Sequence, residues 1–147
     1  MLKKIFKFIN FKMTILFSLV IFILDRILKY IALSGKIFFT KNTGIALSIP
    51  VPSELLYCYI AILLIILLIM ILLLINSIKK KNCLLFFAYC LLLAGAASNL
   101  LDRIKFGFIV DYLNFIFFYN NLADIMICLG VAILIFHLLF KTKKDLT

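Results

Sequence analysis

Acid is scarce in this chain. Six aspartates and glutamates stand against sixteen lysines and arginines over 147 residues, there is a single histidine, and no two cysteines have CxxC spacing. No HExxH segment is present, and His137 lies toward the far end of an apolar run, away from the acids. Serine–histidine and zinc-hydrolase chemistries therefore lack parts. Cys58, Cys83, Cys90 and Cys128 all lie in or at the ends of apolar runs. They read as small membrane-buried hydrophobes, with neither disulfide nor metal-ligand spacing. Repeats and low-complexity linkers are also missing, so the length bounds a single domain over residues 1–147.

What the chain has is apolar length. Its mean hydropathy is +1.26 and 67% of its residues are hydrophobic, which excludes a water-soluble globular protein. About 20 residues at 1.5 Å each match a ~30 Å hydrocarbon core. On that ruler the sequence predicts an all-α membrane protein with four transmembrane helices, over roughly residues 13–33, 56–75, 83–101 and 122–140. The first run is too long for the apolar region of a cleavable signal peptide, has no small-x-small site, and holds Asp25, Arg26 and Lys29.

A net charge of +10 raises the question of nucleic acid, but the placement of the cations answers it. Lys3, Lys4, Lys7 and Lys12 precede the first run, Lys79, Lys80 and Lys81 join the second to the third, and Lys141, Lys143 and Lys144 follow the fourth. The two opposite loops hold only Lys36, Lys41, Arg103 and Lys105. This bias predicts both termini in the cytoplasm, with membrane lipid rather than nucleic acid as the basic residues' neighbour.

The loop Asn76–Asn82 is short, so the second and third spans should be antiparallel neighbours. The outer segments carry more pattern. Asn42-Thr43-Gly44 is a turn signal. Ile45, Leu47 and Ile49 then alternate with Ala46 and Ser48 at strand period, before Pro50 and Pro52 end the run. Ser53 is the expected N-cap of the second span. A small β element on the outer membrane surface is therefore expected. The second outer segment, taken as 102–121, is aromatic ("FGFIVDYLNFIFF") and suits the membrane interface as strand or re-entrant structure.

A carboxylate at the centre of a spanning helix costs roughly 2.5–3.5 kcal/mol on insertion scales, so each one needs a partner or a task. Asp25 and Lys29 are four apart on one helix and can pair. Asp102 beside Arg103 reads as a structural pair at the end of the third span. Asp124 falls in the first turn of the fourth span, where the positive end of the helix dipole favours an ionised carboxylate. Asp111, in "FIVDYLNF", has apolar neighbours and no adjacent cation. Two such acids near one membrane face suggest a dyad, in which one carboxylate activates water and the other, protonated, donates to the substrate oxygen.

Several ordered motifs carry a resemblance. Asp25 and Lys29 are followed by "NTGIALS", then "GAASNLLDR", "GFIVDYLNF", and "NNLAD" preceded by Tyr119. In this the chain resembles bacterial lipoprotein signal peptidase, also called signal peptidase II, along nearly its whole length. There are departures. Ala94-Gly95 stands for the usual paired glycines, Ser98 for a glycine, Leu47 for a phenylalanine, and Asn120 for a frequent phenylalanine.

The resemblance implies four spans with both termini cytoplasmic, in the bacterial cytoplasmic (inner) membrane. It implies an aspartic endopeptidase that cuts diacylglyceryl-modified prolipoproteins before the lipidated cysteine, with Asp111 and Asp124 as the catalytic pair and no metal or cofactor. It marks Asn42, Gly44, Asn99, Arg103 and Asn121 as substrate-binding or dyad-supporting residues, and Asp25, Lys29 and Asp102 as structural polar residues. A monomer is expected. Asp124 is assigned the role of base on water, and Asp111 that of proton donor. The alternatives are a proton- or cation-coupled transporter subunit using Asp25 and Asp124, and a multispan protein that binds a partner through its β element. Against the transporter, the acids gather toward one face, and the second and third spans have almost no polar residue at mid-depth.

Overall fold

The computed structural model describes residues 11–44, 55–115 and 118–145. Four helices dominate: α1 (Phe11–Leu33), α2 (Leu56–Lys79), α3 (Cys83–Phe106) and α4 (Leu122–Asp145). Four three-residue strands accompany them: β1 (Thr40–Asn42), β2 (Ile109–Asp111), β3 (Leu113–Phe115) and β4 (Phe118–Asn120). Among the described residues, three helical segments are long and apolar enough to cross a membrane, Tyr57–Lys79, Cys83–Phe106 and Leu122–Phe140.

The helices run past the expected span ends. α3 continues to Phe106, so Asp102 and Arg103 belong to its last turns and not to the following loop. It stops at Gly107, whose φ of 77° is a left-handed C-cap that costs glycine little. At its other end Asn82 accepts a hydrogen bond from the Leu85 N–H at 3.1 Å, capping the helix after a tight link from α2. The alternating stretch 45–49, Pro50, Pro52 and the Ser53 cap lie outside the described residues. At the N-cap position of α2 stands Leu55, with no side-chain cap bond.

α3 is the central helix and packs against α1, α2 and α4. Gly95 lets α4 approach, because a Cβ there would collide with the Ala123 carbonyl oxygen and lie 2.9 Å from Ile127 Cγ1. α1 has its polarity turned inward. Its buried residues are Thr14, Ser18, Asp25, Lys29 and Ala32, while Ile15, Leu16, Phe17, Leu19, Val20, Ile23, Leu24 and Ile27 are exposed. A polar stripe facing protein and an apolar face outward is the arrangement suited to lipid, where a charge must find its partner inside.

Between the helix ends, β1 pairs antiparallel with β2, setting Thr40 opposite Asp111 and Asn42 opposite Ile109. β3 and β4 form a hairpin with Leu113 opposite Asn120 and Phe115 opposite Phe118. Val110, Tyr112 and Ala32 form a small core beneath the strands, flanked by Leu28, Phe39, Phe106 and Phe108. This core fixes the strand layer to α1 and α3, and so fixes Asp111 at the end of β2.

Candidate active site

In the β1–β2 ladder Asn42 lies diagonal to Asp111, on the same face, and its amide reaches the carboxylate. Asn42 Nδ2 donates to Asp111 Oδ2 at 3.0 Å, and Asn121 Nδ2 donates to Oδ1 at 2.6 Å. Asn121 also caps α4, since its Oδ1 accepts the N–H of Asp124 at 3.0 Å. One buried asparagine therefore bridges the two acids, through the side chain of Asp111 and the main chain of Asp124. Asp124 Oδ1 accepts from Asn99 Nδ2 at 2.7 Å. The Asn120 amide, oriented so that its nitrogen meets acceptors, donates to Asp124 Oδ2 at 3.2 Å and to the Tyr119 carbonyl at 3.1 Å.

The two acids differ in setting. Asp111 is 1% exposed, whereas Asp124 keeps some access to its surroundings. Burial pushes the Asp111 carboxyl up to about 6. The two asparagine donors pull against that shift, and the charge of Asp124 adds to it. Asp111 thus keeps its proton to higher pH than an ordinary carboxyl, while Asp124 has a donor on each oxygen.

Behind the pair lies a buried ion cluster. Lys29 Nζ is 3.0 Å from Asp25 Oδ2, the pairing expected from their spacing, and 2.8 Å from Asp102 Oδ2. Arg26 closes the cluster at 2.6 Å from Asp102 Oδ1. Asp102 also accepts from the Val110 N–H at 3.3 Å. It does not pair with Arg103, contrary to the sequence expectation. Adjacent residues on a helix point about 100° apart, so Asp102 faces α1 while Arg103 turns away. Arg103 donates through Nη2 to the Gly44 carbonyl oxygen and stacks its guanidinium 5.0 Å from the Tyr59 ring. Gly44 closes its own turn by donating its N–H to Asn42 Oδ1 at 3.0 Å.

Asp25 ties three helices and the residue between β2 and β3 together. Besides Lys29 it accepts from Ser98 Oγ at 2.6 Å, from the Tyr112 hydroxyl at 2.8 Å and from the Ala123 N–H at 3.3 Å. Burial raises the Tyr112 phenol above its ordinary pKa, so it serves here as a neutral donor. Lys29 donates to Asn99 Oδ1 at 2.9 Å, which links the cluster to Asp124 through one amide. Of the residues singled out in the sequence, Asn42, Asn99 and Asn121 hydrogen-bond the acids, Gly44 and Arg103 connect to them only through the Asn42 turn, and Asp25, Lys29 and Asp102 form the cluster behind.

Arg26, Ser98, Tyr112 and Asn120 were not expected. Ser98 and Asn120 were visible only as departures from a motif. Their contacts run between elements, and no spacing rule reveals those. His137 is thirteen residues beyond Asp124 on α4, about 20 Å along the axis at 1.5 Å per residue, and takes no part. Among the described residues, no three His, Cys, Asp or Glu side chains gather as a metal site would need.

A family model described as signal peptidase (SPase) II matches residues 17–140. The chain belongs to the signal peptidase II family. It is 28% identical over 150 residues to a lipoprotein signal peptidase of Allorhizobium ampelinum, covering 89% of this chain and 90% of that one. With the lipoprotein signal peptidase of Shewanella halifaxensis it shares 43% identity over 65 residues, 40% of this chain and 36% of the other. With that of Pseudoalteromonas translucida it shares 46% over 55 residues, 33% and 32%. These last two matches span about a third of each relative's length. A bacterial membrane enzyme solved by the in meso method at 2.3 Å superposes with a TM-score of 0.74 at 26% identity, covering 90% of this chain and 91% of that one. Nothing in these comparisons supports the transporter alternative.

Proposed function

We propose that this chain is a membrane aspartic endopeptidase that cuts diacylglyceryl-modified prolipoproteins before the lipidated cysteine. The observation that carries the reading is the Asn121 bridge, which ties a buried Asp111 to a hydrogen-bonded, more accessible Asp124. Asp124 takes a proton from water as the oxygen attacks the scissile carbonyl carbon, and Asp111 gives its proton to the carbonyl oxygen. On collapse, the proton on Asp124 passes to the leaving amine of the cysteine. Asp111 recovers its own from the diol hydroxyl, so the pair ends as it began.

The topology proposed with this activity is four spans in the inner membrane, both termini cytoplasmic and the acids near the outer face. α1 serves as the fourth span because its internal charges are matched within the cluster. The exposed Phe38, Tyr57, Phe115 and Phe118 suit an interfacial belt at the strand end of the bundle. The chain is proposed to act as one unit over residues 1–147 and as a monomer.

The test is cleavage of a lipidated precursor by the purified protein in vesicles. Wild type should release the signal peptide, and Asp111→Asn and Asp124→Asn, each still folded by thermal melting, should not. Near-wild-type turnover by either variant overturns the dyad.

A further inference from the structure

We propose that Asn120 is a positioning residue for Asp124, its amide fixing the second oxygen of that carboxylate in the orientation water activation requires. The inference rests on the endopeptidase reading above. A carboxylate held at one oxygen only can swing about its terminal torsion, which is broad and two-fold. Asn99, on α3, holds Oδ1 of Asp124 at 2.7 Å. Asn120, on β4, holds Oδ2 at 3.2 Å from a different element. With both oxygens held, the plane of the carboxylate is set, and so is the lone pair left for water.

Asn120 is itself well fixed. Its strand register pairs it with Leu113, its amide also donates to the Tyr119 carbonyl, and the hairpin is braced by the Phe115–Phe118 stack at 5.5 Å and the Phe38–Tyr119 contact at 5.6 Å. A side chain without an N–H or O–H donor at this position would leave that oxygen unheld. A donor to an ionised acceptor also favours the ionised form, so Asn120 extends base function to lower pH.

The charged and titratable groups facing Asp124 are Lys29 and Asp25 from α1, Asp111 from β2 and Tyr112 just beyond it. All remain in the variants to be compared. Asn120→Leu removes the donor at similar volume, and Asn120→Asp keeps the shape but replaces the donor with a second acid. With the lipidated precursor, Asn120→Leu should lower kcat about ten-fold, the scale of one hydrogen bond to a charged group, with KM nearly unchanged. The acid limb of its pH–rate profile should move to higher pH. Asn120→Asp should lose more and shift the limb further. Should Asn120→Leu fail to fold, Asn120→Asp carries the test alone.

An unshifted acid limb, or a loss confined to KM, overturns the role of Asn120 while leaving the dyad intact. Cleavage that survives Asp124→Asn overturns the endopeptidase reading, and this inference with it.

Discussion

Lys29 reaches Asp102 at 2.8 Å across the α1–α3 contact, and neither side chain meets solvent. The same ammonium lies 3.0 Å from Asp25, so one cation answers two buried carboxylates. Removing one partner from such a cluster leaves uncompensated charge, which typically costs 3–5 kcal/mol. Lys29→Met should therefore destabilise the fold by about that amount. Arg26→Gln should cost less, because Asp102 keeps Lys29 at 2.8 Å, whereas Lys29→Met leaves Asp25 without its cation. Thermal unfolding in detergent micelles measures both, and equal losses would contradict this ranking.

The α3–α4 contact should be intolerant of a single methyl. In Gly95→Ala the new Cβ meets the Ala123 carbonyl, one residue before Asp124. Asn99 lies one turn further along the same helix face, so parting the helices lengthens the Asn99–Asp124 bond. Both melting temperature and turnover should fall, the overpacking cost being about 1–3 kcal/mol. Gly107→Ala provides the contrast. It strains a left-handed cap by roughly 1–2 kcal/mol without touching the acids, so stability should drop and kcat should hold.

The proposed mechanism needs one proton on the pair. The rate should therefore fall as pH rises through the upper apparent pKa, which burial of Asp111 holds up at about 6. Below that value the proton is retained, and above it the donor is lost. Bound substrate excludes more water and disfavours the charged form further, so the basic limb of kcat should lie at higher pH than that of kcat/KM. A rate that keeps climbing with pH through this range, with no basic limb, would show that Asp111 is not the donor.

Orientation is testable by labelling. In a cysteine-free background, Lys41→Cys should react with an impermeant thiol reagent from outside and Lys80→Cys should not. The reverse pattern would reject the orientation read from the lysine bias.

Part of the site is legible through local rules, and the rest only through the family resemblance. The Asp25–Lys29 pair is an i,i+4 contact, and the Asn42–Gly44 turn is a three-residue signal. Asn42 and Asn121 read as residues that bind substrate or orient the acids, and both donate to Asp111. Asp102 shows where such rules stop. Its sequence neighbour is Arg103, but helical phase sends the two in different directions, and its cations come from residues 76 and 73 positions earlier. Ser98, Tyr112 and Asn120 are illegible for the same reason, since their partners sit on other elements. The strands were placed only in part. β2 to β4 occupy the aromatic segment and β1 lies at Thr40–Asn42, while the alternating stretch at 45–49 falls outside the described residues.

The inward-facing polar stripe of α1 also bears on how the chain comes to be in the membrane. On the proposed topology α1 leaves the ribosome with Asp25, Arg26 and Lys29 but without Asp102, which answers two of those three and is encoded 76 residues after Arg26. At about 5–20 residues per second, that interval is on the order of several seconds. During it α1 is poorly matched to lipid, and its lasting integration waits for α3. A chain ending before α3 would strand a charged helix, a natural substrate for membrane quality control. The ion cluster is thus complete only once α3 lies beside α1.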